Sequence, residues 1–159
     1  MSFYAFDSFD GLPVTAEASR TGFAQFEQGE FSCAEKDFLT NIRRNGVDLS
    51  KVVTVPGWFS ETLRPENPQV AKLRNAAVIW IDCDLYESTV PVLRFITPYL
   101  QPGTVVVFDD WYCYRADPQA GEQLAFREWL AAHPEFIAIQ HSNISWHGAM
   151  IIIQRSSGK

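Results

Sequence analysis

Cysteine and positive charge are both scarce in this sequence. The three cysteines, Cys33, Cys83 and Cys113, form an odd and widely spaced set, which gives neither a disulfide framework nor the paired spacing of a zinc site. This cysteine usage favours the cytoplasm as the compartment. The 19 acidic residues outnumber the 13 basic ones, for a net charge of −6. Because nucleic acids and anionic membranes are bound by clustered Lys and Arg, neither is expected as a partner.

Long hydrophobic runs are missing as well. The longest ones lie near residues 78–81, 105–108 and 150–153, far short of the roughly 20 residues of a membrane-spanning helix. A signal peptide is not expected, since the chain opens with an apolar run at residues 3–6 that is typical of a strand. With 159 residues, 47% of them hydrophobic, we expect a single domain over residues 1–159.

Short apolar runs alternate with segments of helical period, a pattern typical of an α/β domain with a mainly parallel sheet. Strands are predicted at residues 3–6, 52–55, 76–81, 104–108, 136–140 and 149–154. The last two are separated by only eight residues, too few for a helical crossover, so they should form an antiparallel hairpin. The third strand is apolar throughout and is expected to be buried on both faces.

Three helices are predicted from capping signals and period. Ser32 and Glu35 have the spacing of a capping box, which predicts that a helix starts there. Thr89 is the expected N-cap of a second helix, with Pro91 in its first turn. A third helix is predicted over residues 120–132.

Carboxylates follow three of the predicted strands. Asp7 ends the first strand, Asp82 and Asp84 follow the third, and Asp109 and Asp110 follow the fourth. Because the carboxyl ends of parallel strands meet at one edge of a sheet, these side chains should lie close together. Crowded carboxylates repel one another unless a proton or a cation is shared between them. Asp82, Asp109 and Asp110 are therefore the predicted ligands of a divalent ion, with Mg²⁺ favoured by the oxygen donors.

Other residues leave alternatives open. Asp84 is either a ligand or base beside the metal or simply the residue at which the next helix begins. Asp7 has the position from which an acidic side chain accepts hydrogen bonds from a ribose. Trp58 and Phe59 could stack on a purine or could serve only in packing. The three histidines, His133, His141 and His147, are interpreted as structural.

Four segments stand out as motifs along the chain: residues 7–13 (DSFDGLP), 56–63 (PGWFSETL), 81–89 (IDCDLYEST) and 108–111 (FDDW). Together and in this order they resemble the macrocin O-methyltransferase family. The resemblance covers nearly the whole chain. It implies a class I, Rossmann-like methyltransferase fold of three layers, with a mostly parallel sheet and a C-terminal antiparallel hairpin. It also implies S-adenosylmethionine and Mg²⁺ as cofactors and a small-molecule acceptor that carries hydroxyl groups, such as a sugar or natural product.

The resemblance also implies roles for individual residues. Asp7, with Ser8 beside it, would hold the ribose of the cofactor, and the turn formed by Gly57, Trp58 and Phe59 would border its adenine. The metal ligands would be Asp82, Asp109 and Asp110. Asp84 is the candidate general base, and Asp82 is placed with it in the catalytic group. Metal-assisted methyl transfer to a hydroxyl is the expected reaction.

The sequence departs from the family at its beginning. Members start with a strand and a glycine-rich turn that receives the methionine end of the cofactor, whereas this chain has no G-x-G and no predicted strand before Phe3. The resemblance therefore indicates an N-terminally truncated domain, and the unpaired strand edge predicts a homo-oligomer. A degenerate, non-catalytic binding module is one alternative. Another is a phosphatase similar to the haloacid dehalogenases, using Asp82 and Asp84 of the D-x-D motif.

Overall fold

The computed structural model describes residues 1–14, 16 and 26–156. Two compact units are present. The first contains residues 1–14 and 26–72, and the second contains the chain from Leu73 onward. The expectation of a single domain over residues 1–159 stays a prediction.

The first unit is built on a pair of parallel strands. Its strands and helices are β1 (Phe3–Asp7), α1 (Glu35–Arg44), β2 (Val52–Pro56) and α2 (Phe59–Thr62), with short 3₁₀ turns at Leu49–Lys51 and Pro68–Val70. The register pairs Phe3 with Val52 and Asp7 with Pro56. Both strands therefore end together, which confirms the positions predicted for them.

The capping box predicted at Ser32 is not formed. Helix α1 begins at Glu35, and its N-cap, Ala34, makes no side-chain hydrogen bond. The Glu35 carboxylate instead accepts a hydrogen bond from the Thr54 hydroxyl of β2 at 2.5 Å. This prediction was wrong because a tertiary contact with a neighbouring strand took the side chain that the local motif would have used.

The second unit contains a four-stranded sheet. Its strands and helices are β3 (Val78–Ile81), α3 (Tyr86–Ile96), β4 (Val105–Phe108), α4 (Gly121–Ala132), β5 (Phe136–Ile144) and β6 (Gly148–Arg155), with a 3₁₀ turn at Thr97–Tyr99. The strand order is β3-β4-β6-β5. Strands β3 and β4 are parallel, whereas β6 runs antiparallel to both β4 and β5. The predicted α/β class and the C-terminal hairpin are both confirmed.

Helix α3 begins earlier than the capping signal predicted. Its N-cap is Leu85, so Thr89 lies inside the helix and Pro91 is an interior residue. Thr89 is fully buried, and its hydroxyl donates to the carbonyl of Leu85 at 2.8 Å. The capping prediction was wrong because the Thr89 hydroxyl finds a backbone acceptor one turn back within the helix.

Aromatic rings fill the core of the second unit between the sheet and α4. Phe108 is completely buried, and its ring lies 5.1 Å from that of Phe126. Trp129 stacks on Phe126 at 5.5 Å and on Phe136 at 5.4 Å. Its indole N–H donates to the Thr97 hydroxyl at 2.9 Å, so the polar tip of the buried ring has a partner. This packing fixes α4 against the end of β4.

The expectation that β3 is buried on both faces was wrong. Ile81 is buried, but Val78 is 54% exposed and Trp80 57% exposed. Among the described strands, β3 stands at the end of its sheet and pairs only with β4, so one of its edges carries no strand. Within the described part of the chain, no helix has the length and apolar character needed to cross a membrane.

Candidate functional site

The carboxyl end of the first unit's sheet brings Asp7 next to Gly57. The N–H of Gly57 donates to the backbone carbonyl of Asp7 at 2.9 Å. The Asp7 carboxylate is exposed and accepts the N–H of Phe9 at 2.6 Å, and the Ser8 hydroxyl donates to the carbonyl of Gly11 at 3.0 Å. Asp7, Ser8 and Gly57, which were predicted separately to bind the cofactor, are therefore neighbours in one loop pair.

Gly57 makes the turn after β2 possible. Its φ of +127° lies in the region that side chains avoid, and a Cβ there would meet the Thr62 methyl at 3.1 Å. Trp58 follows as the N-cap of α2, which begins at Phe59. Both aromatic residues are half-buried. The turn thus presents aromatic surface beside the strand end that carries Asp7.

In the second unit, parallel pairing of β3 and β4 delivers acidic residues to one edge. The last register pair is Ile81 with Phe108, so the residues that follow are Asp82 and Asp109. The N–H of Asp109 donates to the carbonyl of Ile81 at 2.9 Å, which extends the ladder one step past the strands. The predicted convergence is therefore observed for the acidic residues that follow β3 and β4, whereas Asp7 ends a strand of the first unit.

Three carboxylates converge most closely. Asp82, Asp84 and Asp110 each offer an oxygen, and these oxygens all lie within 4.8 Å of one another. Asp82 is exposed, whereas Asp84 and Asp110 are buried. We call these residues the acidic triad. It shares Asp82 and Asp110 with the predicted metal ligands and contains Asp84 where the sequence predicted Asp109.

Asp84 enters the triad through an unusual backbone conformation. Its φ is +60°, in the left-handed region that residues other than glycine rarely adopt. The turn carries the chain from β3 into the start of α3 and keeps the side chain buried. Burial, together with the negative charges of Asp110 and Asp82, raises the pKa of Asp84 to about 8.

Asp110 has an oxygen without a donor. Its Oδ1 accepts the Cys113 thiol at 3.1 Å, but its buried Oδ2 has no hydrogen-bond partner among the described residues. Burial raises the pKa of Asp110, while the Cys113 thiol acts in the opposite direction. An orphaned buried carboxylate oxygen is costly unless a proton or cation satisfies it.

Asp109 has a different environment. Its backbone carbonyl lies 2.6 Å from Nδ1 of His147, and its Oδ2 lies 3.8 Å from the same nitrogen. His147 is followed by Gly148, where a Cβ would lie 2.9 Å from the carbonyl oxygen of Phe108. The hairpin therefore packs directly against the end of β4. Sequence reasoning interpreted His147 as structural and could not place it beside Asp109, because 38 residues separate them.

Glu122 is the site residue that the sequence analysis missed. It lies in the first turn of α4, is only 1% exposed, and its Oε2 accepts the N–H of Asp110 at 3.0 Å. Its Oε1 is buried without a partner in the described structure. Burial, followed by the charge of Asp110, raises the pKa of Glu122 well above its ordinary value. No local signal identifies it, since a Glu at a helix start is common on exposed surfaces.

The donor set of the acidic triad fits a hard divalent cation. All of its ligands are carboxylate oxygens, their spacing is close to what one ion bridges, and one buried oxygen lacks a partner. Asp82, being exposed, leaves a side from which solvent or a substrate oxygen could complete the coordination. The triad would therefore suit Mg²⁺ or Mn²⁺ better than an ion that prefers sulfur or nitrogen.

Comparison with known proteins identifies the family. Residues 1–147 match the family described as Macrocin-O-methyltransferase (TylF). The chain belongs to this family. The resemblance carried by the four sequence segments is thereby confirmed.

Individual relatives agree with this assignment. The chain is 34% identical over 109 residues to the 8-demethyl-8-(2,3-dimethoxy-alpha-L-rhamnosyl)-tetracenomycin-C 4'-O-methyltransferase of Streptomyces olivaceus. The aligned region covers 66% of this chain and 40% of that protein. It is 27% identical over 144 residues to the demethyldecarbamoylnovobiocin O-methyltransferase of Streptomyces niveus, covering 88% and 52%. The chain thus spans about half the length of these curated relatives.

A solved structure supports the fold. The O-methyltransferase NovP superposes with a TM-score of 0.72 at 25% identity, covering 97% of this chain and 60% of that one. The fold is therefore Rossmann-like and of the methyltransferase type, as the sequence predicted.

The acidic triad predicts a pH-dependent stability for the metal-free protein. Because the pKa of Asp84 is raised from 3.8 to about 8, the folded chain binds this proton more tightly than the unfolded chain does. The free energy of unfolding should then fall as the pH rises from about 4 to about 8, by up to ~1.4 kcal/mol per pH unit for one proton. Urea unfolding in EDTA at several pH values measures this slope.

Substitution of Asp84 separates its contribution to the pH dependence of the free energy of unfolding from the contributions of other titratable groups. Asp84→Asn should flatten the slope and raise the stability at pH 8, because the costly buried charge is gone. Asp10→Asn, which removes the same charge from an exposed side chain, is the matched control. A slope that is the same in wild type and Asp84→Asn would contradict the assignment.

Proposed function

We propose that this chain acts in S-adenosylmethionine-dependent methyl transfer to a hydroxyl group, assisted by a divalent metal ion. The observation that supports it most directly is the acidic triad, located at the carboxyl ends of β3 and β4 in a chain of the macrocin O-methyltransferase family. Its three free cysteines agree with the cytoplasm as the site of action.

The loop pair around Asp7 and Gly57 is the proposed cofactor-binding region of the first unit. The exposed Asp7 carboxylate can accept hydrogen bonds from the two ribose hydroxyls. Ser8 lies beside it, and the half-buried Trp58 and Phe59 offer flat apolar surface to an adenine. Gly57 contributes the turn that keeps these groups next to the strand end.

The acidic triad is the proposed metal site. Asp82 and Asp110 were predicted from the sequence, and Asp84 supplies the third converging oxygen. When bound, Mg²⁺ would lower the pKa of an acceptor hydroxyl and fix its oxygen, while S-adenosylmethionine would supply the methyl group as a sulfonium. In such a reaction the enzyme contributes mainly position and charge.

Asp84 is the proposed general base. A carboxylate has two oxygens, so one can face the cation while the other accepts the proton of the acceptor hydroxyl. Burial raises the pKa of Asp84 in the metal-free chain, which makes its carboxylate a stronger proton acceptor, whereas a cation bound at the triad would act in the opposite direction. Bound S-adenosylmethionine would supply the methyl group by cleavage of its carbon–sulfur bond as the acceptor oxygen bonds to that carbon, and Asp84 would take up the proton of the acceptor hydroxyl.

A sugar hydroxyl is the proposed acceptor. The Streptomyces olivaceus relative is named as a 4'-O-methyltransferase of a rhamnosyl-bearing tetracenomycin, and the acceptor of this chain is expected to belong to the same broad class. Neighbouring hydroxyls on a sugar ring suit an oxygen-ligated cation, since two of them can reach it together.

Calorimetric titration with S-adenosylhomocysteine, with and without Mg²⁺, tests the cofactor assignment. We expect saturable binding that weakens at least about 10-fold in Asp7→Asn, because the variant loses the charged acceptor for the ribose hydroxyls. Asp10→Asn, three residues away, is the control. Absence of binding at millimolar ligand would instead favour the non-catalytic module, and turnover of an aryl phosphate without the nucleoside would favour a phosphatase.

Paired substitutions test the metal ligands. Asp110→Asn should weaken Mn²⁺ binding at least about 100-fold, since it removes a converging carboxylate. Asp109→Asn should weaken it less than about 10-fold, because the Asp109 side chain is next to His147. Electron paramagnetic resonance of free Mn²⁺ gives both affinities. Losses of similar size in the two variants would make Asp109 a ligand together with Asp110, as the sequence predicted.

We also propose that the chain self-associates through the edge of β3. Val78 and Trp80 expose apolar side chains on a strand that pairs only with β4 in the described sheet. Two copies of such an edge can pair antiparallel about a twofold axis, which satisfies the open backbone groups of both strands and places their apolar side chains next to one another.

Analytical ultracentrifugation tests self-association. We expect a mass that is a multiple of 18.0 kDa, reduced toward the monomer by Trp80→Lys, which places a charge on the edge. Trp146→Lys changes another exposed tryptophan in the turn between β5 and β6 and should leave the mass unchanged. A monomer at all concentrations would overturn the proposal.

A further inference from the structure

Glu122 is connected to the acidic triad by a single buried hydrogen bond. Its Oε2 accepts the backbone N–H of Asp110 at 3.0 Å, and the contact spans 12 residues of sequence. Both residues are buried, Glu122 to 1% exposure and Asp110 to 8%. No water can replace this acceptor easily, so the Asp110 backbone depends on Glu122 for its partner.

The start of α4 is built to bring Glu122 this close. Gly121, the first residue of the helix, has a φ of +51°, and a Cβ there would lie 2.5 Å from the ring of Tyr114. The same Cβ would approach the carbonyl oxygen of Asp84 at 3.6 Å. The absence of a side chain at Gly121 therefore lets the helix start pack against Tyr114 and next to the Asp84 backbone, with Glu122 following directly.

The orientation of the Asp110 carboxylate depends on the conformation of the Asp110 backbone. The chain leaves β4 at Phe108 and makes a turn in which the N–H of Cys113 donates to the carbonyl of Asp110 at 3.0 Å. Three polar groups of Asp110 therefore have partners. Glu122 accepts the Asp110 N–H, and Cys113 donates to both the carbonyl and the Oδ1 of Asp110. The Oδ2 is the remaining one, and it is the buried oxygen without a partner.

We infer that Glu122 is a positioning residue for the metal site: its Oε2 holds the Asp110 backbone so that the Asp110 carboxylate is directed to the cation shared with Asp82 and Asp84. The inference rests on the proposed metal-assisted function. Glu122 touches neither the cation nor a substrate in this role. Its contribution is to the affinity of the site, through Asp110.

The required property of residue 122 is a buried acceptor oxygen at the right distance. Gln offers such an oxygen on a side chain of the same length, whereas Ala offers none and Asp draws its carboxylate back by one methylene. Met fills nearly the same space but offers no acceptor oxygen, so a residue that merely filled space would be replaced as well by Met as by Gln. This difference separates positioning from packing.

The test is Mn²⁺ binding to the full chain, without cofactor or acceptor, followed by electron paramagnetic resonance of the free ion. We expect Glu122→Gln to bind within about threefold of wild type, and Glu122→Met, Glu122→Ala and Glu122→Asp to bind about 10- to 100-fold more weakly. Glu128→Ala removes an exposed carboxylate from the same helix and should bind as wild type does. Circular dichroism checks that each variant is folded.

The possible outcomes separate the two levels of the proposal. Wild-type-like binding by Glu122→Met, Glu122→Ala or Glu122→Asp would overturn the positioning role and leave the metal site standing, as would equal loss in Glu122→Gln. If Glu122→Ala does not fold, the comparison of Glu122→Gln with Glu122→Met decides alone. A wild type that binds no Mn²⁺ would show that the metal site itself is wrong, and the positioning role would fall with it.

Discussion

Crowding of negative charge at the carboxyl edge of the four-stranded sheet is the constraint on which the chemistry of the second unit depends. Parallel pairing of β3 with β4 brings Asp82 and Asp109 to the same edge, whatever the loops beyond them do. The repulsion is not relieved by the fold alone, since burial and neighbouring charge raise the pKa values of Asp84 and Asp110. Charge of this kind is relieved by a proton or by a cation, which makes the edge responsive to both.

The groups that control this edge come from distant parts of the chain. His147, in the turn before β6, contacts the backbone of Asp109, and Glu122, at the start of α4, contacts the backbone of Asp110. Two adjacent aspartates are therefore held by two different elements. The two contacts can be made together because Gly148 lets the hairpin approach the end of β4, and Gly121 lets the start of α4 approach Tyr114 and the Asp84 backbone, more closely than a side chain would permit.

Local sequence patterns predicted the elements well and their starts less well. The strands were found because apolar runs of four to six residues bounded by Asp, Gly or Pro have few other structural solutions. Capping was predicted from Ser32 and Thr89 and was wrong at both. In each case the side chain expected to cap a helix made another contact. The Glu35 carboxylate accepts from the Thr54 hydroxyl, and the Thr89 hydroxyl donates to the carbonyl of Leu85. Capping motifs are weak energetically, so such contacts displace them.

The sequence by itself determined the family, through four motif segments, and the α/β class and the strand ends at which acidic residues follow, through the apolar pattern. Only the tertiary structure decided which carboxylates converge. Asp84 joins Asp82 and Asp110 through a left-handed turn, and Asp109 lies beside His147 instead. It also revealed the buried Glu122. The end of a strand specifies the edge of the sheet that the following residue reaches. The direction of a side chain beyond the strand is set by backbone torsion and by partners far away in sequence.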